Sequence, residues 1–260
     1  MPESSQLPES STPTIVLVHG AWADASSWNA VCVPLQAEGF TVMAPPNELR
    51  GLTSDAAYIA SFLAQRTSGP VVLVGHSYGG AVITNAGAQG GDVKALVYVD
   101  AFIPDEGETV VGILEGSGSA LAVADPTTVL DVAGYPGAPE GAAEAFLKPE
   151  TVHNSFAQDL PEADRWTIVA TQRPASFVAN VTPSGPPAWK TIPSWAVLGT
   201  EDRVIPITTQ RRMAERANAT ITEVDASHVS MISQPEAALA AIRAAVEHTV
   251  ATTGVGARAR

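Results

Sequence analysis

The segment Val71-Val72-Leu73-Val74-Gly75-His76-Ser77-Tyr78-Gly79-Gly80 constrains the fold of this chain more than any other. A β-branched apolar run leads directly into Gly-x-Ser-x-Gly, and a small-residue stretch of helical character, Ala81-Val82-Ile83-Thr84-Asn85-Ala86, follows at once. The pattern predicts a strand, a sharp turn and a helix, with Ser77 at the apex. Such a turn forces its apical residue into strained backbone angles, and glycines two positions to either side let strand and helix approach. The Ser77 hydroxyl is therefore expected to stand clear of the sheet, within reach of a base.

The remainder of the chain supplies neighbours for that strand. Residues 14–18, 41–44, 71–74, 93–99, 194–198 and 220–224 read as six strands separated by helical patterns, an alternation that predicts an α/β fold with a doubly wound, mostly parallel six-stranded sheet. Ser26 and Ser27 are candidate caps for a helix running to about Ala37, and Thr53-Ser54-Asp55 opens a second helix whose apolar positions recur at helical spacing. A last helix is expected over 235–248. Sites in such sheets lie at the carboxyl ends of the strands, where His19-Gly20, Ser77, Asp100, Asp202 and His228 all fall. Between Ile103 and Lys190 the rhythm stops, and the Gly-, Pro- and Ala-rich segment carries short helical patterns at 141–147 and 161–171. It reads as a mostly helical lid inserted after the fourth strand. The expected division is a disordered tail (1–12), a core (13–102 and 191–250), the lid (103–190) and a frayed end (251–260).

Composition narrows the function classes. A formal net charge of −13 and a pI near 4.7 disfavour nucleic acid and anionic membrane surfaces as partners, leaving a small-molecule substrate and a monomer or homodimer as the expectation. The N-terminal residues lack an apolar h-region and no run is long enough to span a bilayer, so a cytoplasmic protein is expected. The single cysteine, Cys32, has no internal disulfide partner.

A serine needs a base in hydrogen-bond reach and the base needs an orienting acid. His228 follows the last strand, and the order Ser77, acid, His228 suits the base role. Four aspartates are candidates for the acid. Asp202 follows the penultimate strand and precedes a helix, Asp100 follows the strand after the Ser77 turn and is the alternative, Asp225 lies too near His228 along the chain, and Asp24 lies on another loop. Glu201 competes weakly with its neighbour. Two backbone N–H groups suit a developing oxyanion: that of Tyr78, after the serine, and that of Ala21, on the small-residue loop after the first strand. Trp22 is a candidate for lining a substrate pocket. Scattered histidines, no paired-Cys spacing, no His-Glu-x-x-His and no phosphate or dinucleotide loop predict an enzyme without metal or cofactor.

His19-Gly20-Ala21-Trp22, Gly75-His76-Ser77-Tyr78-Gly79-Gly80, Gly199-Thr200-Glu201-Asp202 and Ser227-His228 together resemble the α/β-hydrolase superfamily over about residues 14–248. The likeness is to small lidded members: carboxylesterases, methyl esterases, pyrethroid-ester hydrolases and the related hydroxynitrile lyases. It implies that Ser77, Asp202 and His228 stand at the family's triad positions. The lyases carry a threonine at the position of Gly20 and a lysine at that of Val229, so the resemblance implies hydrolysis. A serine hydrolase cleaving a small, neutral, largely apolar carboxylic ester or lactone through an acyl-enzyme is expected. The alternatives are a cofactor-free perhydrolase or haloperoxidase-type enzyme on the same triad, and a non-catalytic small-molecule binding protein. Residues 104–190 hold 12 acidic against 4 basic residues, which disfavours a strongly anionic substrate.

Overall fold

A computed structural model describes residues 12–256. The expected tail, apart from Thr12, and residues 257–260 lie outside the described residues. Six parallel strands form the main sheet in the order β2-β1-β3-β4-β8-β9: β1 (Thr14–Val18), β2 (Val42–Met43), β3 (Pro70–His76), β4 (Asp92–Val99), β8 (Ser194–Gly199) and β9 (Thr220–Val224). A three-stranded antiparallel sheet, β5 (Leu130–Ala133), β6 (Glu144–Leu147) and β7 (Ala175–Ser176), lies in the segment between β4 and β8. Every residue of β1 is buried, as are the last six of β3 and the last five of β4. Near-continuous burial is what a parallel sheet covered on both faces requires.

The helices are α1 (Asn29–Ala37), α2 (Leu52–Arg66), α3 (Tyr78–Ala86), α4 (Val110–Leu114), α5 (Pro149–Thr151), α6 (Glu162–Thr171), α7 (Phe177–Val181), α8 (Ile207–Arg216), α9 (Ser230–Ser233) and α10 (Pro235–Gly256). From β1 the chain steps outward to β2, then returns past β1 to β3 and continues through β4, β8 and β9. Right-handed crossovers on either side of that reversal put α1 on one face and α2 and α3 on the other. The switch point therefore lies between β1 and β3, and the crevice at their carboxyl ends is where such a sheet binds ligands. The loop carrying Ala21 and the turn carrying Ser77 both open there. Among the described residues no helix is long and apolar enough to cross a membrane.

Several local expectations are corrected. The cap of the first helical turn (Ala25–Trp28) is Asp24 and not Ser26 or Ser27; its Oδ1 accepts the Ser26 N–H at 2.8 Å, leaving the two serines inside the turn. Helix α2 begins at Leu52, and Asp55 is buried beneath it with its carboxylate accepting the N–H groups of Arg50 and Gly51. The inserted segment is not mostly helical throughout. Residues 144–147 form β6, whose Ala145 and Leu147 point inward, because pairing with β5 and β7 overrides the helical propensity of Ala-Ala-Glu-Ala. The helix expected over 161–171 forms as α6. The expected fraying from Ala251 is corrected for residues 251–256, which continue α10; the Thr252 and Thr253 hydroxyls bond the carbonyls of His248 and Thr249 at 2.9 and 2.8 Å. Threonines turned back on their own helix carry no apolar periodicity to read.

Candidate active site

Ser77 sits between β3 and α3 at φ 52° and ψ −124°, left-handed backbone that costs a non-glycine residue roughly 1–3 kcal/mol. The neighbouring glycines make the turn possible. A Cβ on Gly75 would lie 2.6 Å from the Gly79 carbonyl oxygen, and one on Gly79 would lie 2.4 Å from the Val18 carbonyl oxygen. β1, β3 and α3 thus meet backbone to backbone, and the serine side chain is pushed out at the carboxyl end of the sheet.

Three side chains from three strand ends form one hydrogen-bonded row. His228 Nδ1 lies 2.7 Å from Asp202 Oδ2, and His228 Nε2 lies 2.8 Å from Ser77 Oγ. All three residues are buried. An ionised carboxylate can only accept, so Nδ1 carries the proton and donates to Asp202, which leaves Nε2 bare to accept the Ser77 hydroxyl proton. Asp202 is itself fixed: Oδ1 accepts the Val204 and Ile205 N–H groups at 2.7 and 2.9 Å, and Oδ2 accepts Gln210 Nε2 at 2.8 Å. Asp225 is exposed and makes only a 3.5 Å contact with the Thr200 hydroxyl. Asp24 caps the turn after β1, and Glu201 is exposed; none of the three approaches the imidazole in this row.

Asp100, the alternative acid, is fully buried but is bonded to backbone: Oδ1 accepts the Gly199 N–H at 2.8 Å and Oδ2 the Ser230 N–H at 2.9 Å. Burial, reinforced by the nearby Asp202 charge, pushes its carboxyl up to about 7.

The Tyr78 N–H heads α3, where a helix leaves its first N–H groups without intrahelical acceptors. The Trp22 N–H is spent on the Arg173 carbonyl at 3.1 Å, whereas the Ala21 N–H has no acceptor among the described residues. A Cβ on Gly20 would stand 2.6 Å from Ser77 Cβ, so the Ala21 loop lies directly against the serine. Trp22 bridges the core and the inserted segment, donating its indole N–H to the Ala145 carbonyl at 2.9 Å and meeting the Phe156 ring edge to face at 6.3 Å. With Phe156, Leu160, Ile168, Val229 and Met231 it lines a 260 Å³ cavity; the acidic groups on that wall are Asp24 and Asp164, and no basic residue lines it. Phe156 also packs on the His228 ring at 5.1 Å. Further bonds tie the inserted segment to the row, from Gln158 Nε2 to the Glu201 carbonyl at 2.7 Å and from the Ser227 N–H to Asp159 at 2.9 Å.

Sequence reasoning missed four supporting residues. His76 donates Nε2–H to the His228 carbonyl at 2.8 Å; burial, then the adjacent His228, holds it well below the usual histidine range. His19 Nε2 accepts the Asn47 N–H at 2.9 Å, which leaves Nδ1–H for the Gly20 carbonyl at 2.9 Å and stiffens the Ala21 loop. Asp55 accepts the Tyr78 hydroxyl at 2.8 Å, and burial raises its carboxyl. Gln210 is the fourth. Only His19 and His76, at the ends of β1 and β3, carried any signal in their position. Among the described residues, no group of three His, Cys, Asp or Glu could hold a metal ion.

A model of the alpha/beta hydrolase family matches residues 15–242. The chain is 32% identical over 111 residues to a carbendazim hydrolyzing esterase of Nocardioides sp. (strain SG-4G), a match covering 38% of this chain and 46% of that protein, so less than half of that relative's length is spanned. It is 28% identical over 249 residues to a pyrethroid hydrolase of Sphingobium wenxiniae, covering 85% of this chain and 83% of the relative. Among solved structures, polyneuridine aldehyde esterase superposes with a TM-score of 0.72 at 20% identity, over 89% of this chain and 98% of that one, a likeness of fold.

Proposed function

The chain belongs to the alpha/beta hydrolase family, and on that premise we propose that it is a serine hydrolase cleaving a carboxylic ester or lactone of a small, neutral, largely apolar molecule through an acyl-enzyme. The observation that carries the reading is the Asp202–His228–Ser77 row, with heavy-atom separations of 2.7 and 2.8 Å. Ser77 Oγ attacks the carbonyl carbon as its proton passes to His228 Nε2. The oxyanion that forms is held by the Ala21 and Tyr78 N–H groups, and Asp202 stabilises the imidazolium without taking its proton. Collapse breaks the carbon–oxygen bond to the leaving alkoxide, which receives the Nε2 proton. Water then repeats the sequence on the acyl-enzyme, with His228 as base, and releases the acid.

The esterase and hydrolase named among the relatives support ester cleavage as the reaction class. No side chain of the row lines the 260 Å³ cavity, which adjoins it through Phe156, packed on the His228 ring, and through Val229; that adjacency supports the substrate's character. The cavity's apolar lining includes Trp22, Phe156, Leu160, Ile168, Val229 and Met231, neutral polar groups such as Ser26, Asn29 and Thr167 share the wall, and its ionisable groups are carboxylates, which repel a carboxylate-bearing ligand. A panel of p-nitrophenyl esters, aryl esters and lactones in neutral and carboxylate-bearing versions tests the reading. Turnover of neutral members and poor turnover of their anionic counterparts is expected. Binding without turnover across the panel would indicate a non-catalytic binding protein, and peroxide-dependent oxidation in acetate would reassign the triad to perhydrolase chemistry.

A further inference from the structure

Asp100 takes no part in the row just described, yet it is fully buried, and its backbone is left-handed at φ 46°. A buried carboxylate in a strained backbone is kept only where its surroundings over-determine it. Its two oxygens are shared between two loops. Oδ1 takes the Gly199 N–H at 2.8 Å, three residues before Asp202, and Oδ2 takes the Ser230 N–H at 2.9 Å, two residues after His228. The loops are in contact at the same place: a Cβ on Gly199 would lie 2.7 and 2.8 Å from the carbonyl oxygens of Ser227 and Ala226. The base loop has a second tether from β3, the His76 bond to the His228 carbonyl at 2.8 Å.

We propose that Asp100 is a positioning residue that sets the register of the acid loop against the base loop, so that Asp202 meets His228 Nδ1 while His228 Nε2 meets Ser77. The proposal rests on the serine hydrolase reading. Both loops leave the carboxyl end of the sheet, and β9, the strand that leads to His228, has three exposed residues and no buried one among its five. A two-pronged acceptor rooted in central strand β4 fixes both loops to the rigid part of the sheet. Ionised, it accepts from both loops. Protonated, it carries a hydrogen on one oxygen that weakens acceptance from one N–H, and the register loosens. The charged and titratable groups facing it are Asp202 from the acid loop and His228 from the base loop, with His76 against His228 at the end of β3; burial, then the Asp202 charge, pushes the carboxyl up to about 7.

The test is Asp100→Asn, with active sites counted by stoichiometric labelling with a fluorophosphonate and turnover expressed per labelled site. Asparagine is isosteric but offers one acceptor, so it can hold one loop and turns an N–H toward the other. A 10- to 100-fold loss of kcat per labelled site is expected, as for a sub-ångström misplacement of reacting groups, with KM changed less than about threefold. The acid limb of kcat/KM should fall with two protons in the native enzyme and one in the variant. A role confined to folding would reduce the number of labelled sites and leave kcat per site and the limb unchanged; that result overturns the proposal. If the variant does not accumulate, Asp100→Glu, which keeps both acceptor oxygens but displaces them, is measured identically, and an unchanged kcat per labelled site overturns the proposal. A native enzyme that the phosphonate does not label overturns the serine hydrolase reading itself, whereas a labelled native enzyme with an unaffected variant overturns only the role of Asp100.

Discussion

Replacing Asp202 with asparagine reverses the proton on the imidazole, and the structure shows why no rearrangement avoids this. Oδ1 of Asp202 accepts two buried N–H groups, from Val204 and Ile205, and Oδ2 accepts Gln210 Nε2 and His228 Nδ1–H. An asparagine has one acceptor oxygen. Pointing its NH2 at Val204 and Ile205 would strand two buried N–H groups, at about 1–3 kcal/mol each, whereas pointing it at Gln210 and His228 opposes two donors, of which the imidazole relieves its own by moving its proton to Nε2. The second orientation is favoured. His228 must then accept at Nδ1 and carry its proton on Nε2, where it faces Ser77 Oγ and can no longer take the serine proton. The expected loss is on the order of 10³ to 10⁴ in kcat, equivalent to about 4–5.5 kcal/mol of transition-state stabilisation. Because asparagine fills the same space and removes a buried charge, the melting temperature should move by only a few degrees. The assay is kcat and KM on a neutral p-nitrophenyl ester, beside Asp100→Asn measured identically. An Asp202→Asn enzyme within tenfold of the native rate, or one less impaired than Asp100→Asn, would refute the assignment of the acid.

Two further outcomes concern the frame around the row. Burial holds His76 well below its ordinary value, so below about pH 6.5 the unfolded chain binds a proton that the folded one refuses, and stability is lost as pH falls. Relative to His76→Gln, which keeps an N–H for the His228 carbonyl, the native protein should lose stability between pH 7 and pH 5 in denaturant melts; a pH-independent difference would show that His76 is protonated in the fold. Gly79→Ala would place a Cβ 2.4 Å from the Val18 carbonyl oxygen and 2.9 Å from that of His19, so the β1–α3 contact must open. A loss of about 1–3 kcal/mol or more is expected in the same melts, and a neutral result would mean that α3 approaches less closely than described.

Elements whose signal is local were legible in the sequence. The apolar run 71–74, the flanking glycines and the small-residue helix define Ser77 and its turn, and burial of whole strands makes β1, β3 and β4 readable as hydrophobic runs. The order Ser77, Asp202, His228 could be read because each residue closes a strand. What could not be read depends on contacts between distant segments. Asp55 looks like a cap in Thr53-Ser54-Asp55, and only the fold turns it inward to the Tyr78 hydroxyl. Residues 144–147 favour a helix until β5 and β7 offer them a sheet. Asp100 and Asp202 have the same local signature, an aspartate at or just beyond a strand end, and they differ only in what faces them: two backbone N–H groups in one case, an imidazole in the other. The place of Asp202 after the penultimate strand and before a helix ranks it first in the sequence, and what each carboxylate faces is visible only in three dimensions.

The proposed mechanism turns on Ser77 Oγ as the nucleophile. Incubating the native protein and Ser77→Ala with a fluorophosphonate, then reading intact mass, peptide mass and ester turnover on the same samples, tests it most directly. One adduct per native chain is expected, on the peptide containing Ser77, with turnover lost in proportion; the variant should take no adduct, keep its fold, and turn over esters at least ~10⁴-fold more slowly. A variant that still hydrolyses esters near the native rate, or an adduct on another residue that abolishes turnover, would contradict it.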